Sequence, residues 1–148
     1  MRNGKTYLLG NVHLIGGFAM NTKYVDIDNN KWGVIICYDY DFMDSDDIWA
    51  ICRSFGLSAA KANEAVRVLN ALNTGMTISN DDIRMSAVFI SDATSRDEWL
   101  NTLAHELKHV TDAIIDYYGV EWDGEPAAYL TGYLFQKVVE KIGYVCTF

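Results

Sequence analysis

Residues 95–119 read SRDEWLNTLAHELKHVTDAIIDYYG, and the reading of this stretch organises the rest of the chain. Ser95-Arg96-Asp97-Glu98 has the form of a capping box, in which a serine side chain and a glutamate three residues on satisfy the first free N–H groups of a helix. Asp97 and Glu98 also place negative charge at the positive end of the helix dipole. Leu100, Leu103, Leu107, Val110 and Ile114 recur at three- and four-residue steps, the spacing of one helical face. Gly119 can adopt the left-handed conformation that closes a final turn. The pattern predicts a helix opened by Ser95 and continuing to Tyr118. His105 and His109 stand four residues apart, hence about 40° apart around that helix and roughly opposite the leucine stripe. One side is made for a core; the other carries two imidazoles.

Working outward, a second helix is expected from about Glu125 to Ile142, with Pro126 in its first turn and Gly143 beyond its end. Before the histidine helix, Arg84 to Ser91 reads as a β segment. The first forty residues are β-like as well. Thr6 to Ala19 shows period-2 alternation, and Lys23 to Asp28 sets Val25 and Ile27 against Asp26 and Asp28. Lys31 to Tyr38 is rich in Val, Ile and aromatic residues, and Asn29-Asn30 between them suits the positive φ of a tight hairpin. Two further helices are expected, one from Ser45 ended by Gly56, the other capped by Ser58 and running to about Leu72, where Asn73-Thr74-Gly75 stops it. No repeat, linker or low-complexity stretch interrupts the series. The expectation is one α+β domain over residues 1–148.

Composition narrows the function classes. The chain has 148 residues, 50% of them hydrophobic, enough for one domain that buries roughly two-thirds of its unfolded surface. Twenty acidic side chains against 12 basic ones give a net charge of -8, which argues against a nucleic-acid partner, since phosphate binding draws on a Lys/Arg surplus. No apolar run has the length of a membrane span. The N-terminal apolar stretch is broken by Gly10, Asn11 and His13 and lacks the continuous core of a secretion signal. Cys37, Cys52 and Cys146 are far apart and odd in number, so they read as reduced thiols of a cytoplasmic protein. The acidic run Asp39 to Asp47 fits no calcium loop, because neither register puts Gly sixth and Glu twelfth. His13 reads as a structural residue on a strand.

His105-Glu106-Leu107-Lys108-His109 is the segment with chemical content. Two of the chain's 3 histidines lie in it. Imidazoles at i and i+4 can point at one metal ion, and Glu106, about 100° round the helix from His105, can reach a water at that ion without being a ligand. A zinc site needs a third protein ligand and an open position. The candidates are Asp112, Asp116, Glu121, Asp123 and Glu125. Asp112, next to His109 on the helix, suits an orienting role better than ligation. Glu125 is preferred because it opens a helix that can fold back, and Gly119 to Gly124 can span up to about 20 Å. Its other role would be an acidic residue at a helix N-terminus.

The HExxH sequence, followed by Glu125-Pro126-Ala127-Ala128, resembles the zincin metallopeptidases of the gluzincin type, whose pattern is HExxH plus a downstream glutamate, often with an alanine three residues after it. The resemblance implies His105, His109 and Glu125 as zinc ligands and Glu106 as general base in peptide-bond hydrolysis. It implies a zincin-like fold in which the β segment before the active-site helix, here Arg84 to Ser91, is an edge strand that aligns a peptide substrate. Short phage- and prophage-encoded zincin-like proteins are similar in size and layout. A donor to the developing oxyanion is sought among Tyr118, Tyr129, Tyr133 and Arg84. The short chain favours a rival expectation, because these peptidases usually wall the cleft with a second lobe. That rival is a zincin-fold binding or regulatory module, with a protein partner completing the cleft.

Overall fold

The computed structural model describes residues 21–38, 40, 44–72, 75–91, 93–119 and 125–143, together with the backbone of residues 6–9 and 12–15. Strands β1 (Thr6–Leu9) and β2 (Val12–Ile15) pair antiparallel as a separate two-stranded ribbon. The main sheet has four strands: β3 (Asn21–Ile27), β4 (Trp32–Tyr38), β5 (Met76–Asn80) and β6 (Met85–Ile90). Helices α1 (Ser45–Ser54) and α2 (Ala59–Leu72) lie between β4 and β5, and α3 (Arg96–Tyr118) and α4 (Glu125–Ile142) follow β6. The class is α+β, as the sequence suggested.

Strand order is β3-β4-β6-β5, with β4 parallel to β6 and the other two pairings antiparallel. Every residue of β4 and β6 is buried. Their near-continuous apolar runs follow from helices covering both faces. On one face Ile35, Cys37, Ala87 and Phe89 meet α1 and α2 through Ile48, Ile51, Phe55 and Leu69. On the other, Val34, Ile36, Val88 and Ile90 meet Leu103, Leu107 and Val110 of α3 and Leu134 and Val138 of α4. Cys37 and Cys52 are free, buried thiols, and burial pushes Cys52 up to about 11 and Cys37 further still. Cys146 lies outside the described residues.

The β3–β4 turn forms as the asparagines predict. Asp28, Asn29 and Asn30 all have positive φ, and Lys31 N donates to the Ile27 carbonyl at 3.1 Å. The Asp26 carboxylate accepts from Asn30 N at 2.9 Å.

One expectation is corrected. The segment Arg84 to Ser91 is not at the edge of the sheet: β6 sits between β4 and β5, and β5 takes the edge. The reason lies in the crossover. The chain leaves β4, passes through α1 and α2, enters the sheet as β5 on the far side of the future β6, and turns back at residues 81–84 into the gap. A strand at Met76–Asn80 was not expected.

Helix α3 keeps most of its predicted ends. Ser95 is the N-cap, its side chain accepting from Glu98 N at 3.1 Å. Glu98 reaches one residue further back than a capping box would, accepting from Thr94 N at 3.1 Å and Thr94 Oγ1 at 2.6 Å. Those bonds hold its carboxyl below the usual range. Gly119 closes the helix at φ 70°, its N–H donating to the Ile115 carbonyl. Among the described residues no helix is long and apolar enough to cross a membrane.

Candidate functional site

The leucine stripe of α3 turns into the sheet, which decides where the HExxH side chains go. Leu103, Leu107 and Val110 are fully buried, whereas His105 and His109 are exposed on the outward side. Their rings stand 5.1 Å apart, centroid to centroid, at 73°. Neither ring has a hydrogen-bond or ion-pair partner among the described residues. Two adjacent exposed imidazoles on one helix face suit metal ligation in residue type and placement.

Glu106 lies on the flank of α3 that faces β5 and is only 5% exposed. A carboxylate that buried requires a polar partner. Thr77, on β5, supplies it: its hydroxyl donates to Glu106 Oε2 at 2.6 Å and lies 3.2 Å from the Glu106 carbonyl oxygen. Period-2 geometry produces the contact. Met76 and Ile78 turn into the core shared with α1 and α2, so Thr77 and Ser79 face α3. Bonding to Oε2 orients the carboxylate and leaves Oε1 to accept another proton.

Gly75 admits this approach. A Cβ at that position would stand 2.7 Å from Glu106 Cγ and 2.8 Å from Thr102 Cγ2, closer than packed carbons tolerate. Gly75→Ala should therefore push Glu106 out of register with Thr77 and cost about 1–3 kcal/mol through overpacking. Urea unfolding measures the loss; an unchanged midpoint would mean that β5 does not press on α3 here.

Between β5 and α3 opens a hollow of about 490 Å³, walled by Gly75, Met76, Thr77 and Ser79 on one side and by His105, Glu106, His109 and Ala113 on the other. The two histidines and the glutamate thus share one concave surface with an edge strand.

The other predicted positions lie elsewhere. Glu125 is the first residue of α4 and is exposed. Helix α4 joins α3 on the flank away from β5, where Thr111 and Thr131 share a hydrogen bond at 2.9 Å and Ile114 and Ile115 approach Pro126 and Leu130. Among the described residues no three His, Cys, Asp or Glu side chains stand together as a metal site, so Glu125 does not join the histidine pair here. Asp112 is ion-paired with Lys108, one turn back. Asp116 is exposed, and Glu121 and Asp123 lie outside the described residues. Of the sought oxyanion donors, Tyr118 donates its hydroxyl to the Lys31 carbonyl at 2.6 Å and, with Tyr133, borders a separate apolar hollow. Tyr129 is 74% exposed on α4, and Arg84 sits in the β5–β6 turn with φ 52°. The walls contributed by Gly75, Thr77 and Ser79 were not anticipated. Their signal was the short alternation Met76-Thr77-Ile78-Ser79 after a glycine.

No protein-family model matches the chain, and no curated protein or solved structure is significantly similar to it.

Proposed function

We propose that the hollow between β5 and α3 is the active site of a zinc-dependent metallopeptidase of the gluzincin type, acting inside the cell on a peptide or protein substrate. One observation carries the reading: the HExxH segment sits on the outward face of a core-anchored helix, with its glutamate held in place beside a sheet edge. His105 and His109 would hold the zinc, and the third ligand would be Glu125, as the gluzincin pattern of HExxH plus a downstream glutamate implies. Zinc, when bound, supplies the Lewis acidity that acidifies water and polarises a carbonyl.

The remaining chemistry belongs to the chain. Glu106 accepts the proton of the attacking water on Oε1 and returns it to the leaving amine. Thr77 keeps the carboxylate in its working orientation throughout, and the leucine stripe keeps α3 from shifting. The edge of β5, which has no strand beside it among the described residues, binds substrate as an added strand, in which main-chain hydrogen bonds give affinity and alternate side chains give selectivity. The aligning strand is therefore β5 and not the Arg84–Ser91 segment.

A second reading is a zincin-fold binding or regulatory module without peptidase activity, a pseudoenzyme or phage accessory protein. It is favoured by the lack of a three-residue metal cluster among the described residues. Incubating wild type and Glu106→Gln with a broad peptide library separates the two. Peptidase activity predicts cleavage by wild type alone; no cleavage by either protein would leave the binding module.

A further inference from the structure

On the face of the sheet beneath α3, a polar line runs from Trp32 through Ser86 to Ser79. Ser86, on β6, is fully buried, and its Oγ lies 3.0 Å from the Trp32 indole nitrogen. An indole N–H only donates, so Ser86 accepts there and has its own hydrogen left to place. Ser79 Oγ, directly across the β5–β6 ladder, stands 2.7 Å away. Either serine could donate in that contact, but the order that leaves no buried hydrogen unpaired at Ser86 runs outward, from Trp32 to Ser86 and from Ser86 to Ser79. Ser79 is exposed and lines the hollow of His105, Glu106 and His109. In that order the Ser79 oxygen accepts from within, and its own O–H is left for a group outside the core.

Position gives that donor a meaning. Ser79 shares the face of Thr77 and lies two residues further along β5, a step of about 6.8 Å. An extended chain added to β5 places each side chain beside that of the strand residue opposite, with Cβ atoms about 4.5–5.5 Å apart. A residue opposite Thr77 would stand beside the hydroxyl that holds Glu106. Two residues on, a side chain meets the Ser79 hydroxyl.

We propose that Ser79 is a specificity-determining residue: its outward hydroxyl selects substrates with a hydrogen-bond-accepting side chain, an Asp, Asn, Glu or Gln, two residues from the one opposite Thr77. Trp32 and Ser86 are positioning residues that aim it. This inference rests on the peptide-binding reading of the β5 edge.

The test is cleavage-site profiling on a peptide library for wild type, Ser79→Ala and Ser79→Thr. Binding selection from the same library by Glu106→Gln, with and without Ser79→Ala, runs beside it. The expected result is enrichment of acceptor side chains at one position two residues from the best-aligned site, reduced about three- to tenfold by Ser79→Ala and retained by Ser79→Thr. Cleavage by wild type with the same profile in Ser79→Ala overturns the role of Ser79 and leaves the peptidase standing. Acceptor-biased binding without cleavage, lost on Ser79→Ala, sinks the peptidase and upholds Ser79. Selection of no peptide by any of the proteins overturns the proposal outright.

Discussion

Replacing Glu106 with Gln should lower the rate of peptide cleavage by about 10²–10⁴-fold, the usual contribution of a positioned general base. The substitution is close to isosteric. The Gln carbonyl oxygen can still accept the Thr77 hydroxyl that Glu106 Oε2 accepts at 2.6 Å, so the side chain should keep its place. It cannot take a proton from water at neutral pH. Glu106 shares the hollow with His105 and His109 but is not one of the proposed ligands, so zinc content should not change. The expected signature is a fall in kcat with KM and unfolding midpoint nearly unchanged. Equal kcat for the two proteins would remove Glu106 from the chemistry. Loss of zinc along with activity would instead make it a structural prop of the metal site.

The second large effect is on stability. Leu107, between Glu106 and His109 in the HExxH segment, is fully buried against the sheet and α4. Leu107→Ala should destabilise by about 2–5 kcal/mol, the transfer term plus the cavity left behind. Against a typical total of about 5–15 kcal/mol, that is a large fraction. Urea unfolding monitored by tryptophan fluorescence should show a lower midpoint with a similar slope. Leu100→Ala, at a position only partly buried, should cost visibly less. Equal costs at the two positions would contradict the assignment of Leu107 to the anchoring stripe of α3.

The contrast between these residues and those of β5 shows what the sequence made legible. The cap at Ser95, the Gly119 stop and the leucine stripe are local signals, each contained within one or two helical turns, and α3 follows them. The Asn29-Asn30 turn is equally local. Strand β5 is another matter. Five residues, four of them only half-buried, give an alternation too short to stand out beside a helix end. Whether a segment is an edge or an inner strand depends on pairing order, and here the β4-to-β6 crossover reverses the simple expectation. The Thr77–Glu106 bond joins residues 29 apart in the chain, and no spacing rule points to it. The histidine pair and its outward aspect were legible because both sit on one helix. Whether a candidate on another helix, such as Glu125, reaches the histidines depends on how α4 crosses α3, which the helical wheel of neither element specifies.

Metal content tests the central claim most directly. Protein purified without added zinc, then equilibrated with dilute zinc and freed of excess, should carry one zinc per chain by mass spectrometry. The His105→Ala/His109→Ala protein, altered only at two exposed positions of a folded helix, should carry none while unfolding at the same urea concentration as zinc-free wild type. No zinc in the wild type, or zinc retained at one per chain by the doubly substituted protein, would contradict a metal centre at the HExxH face.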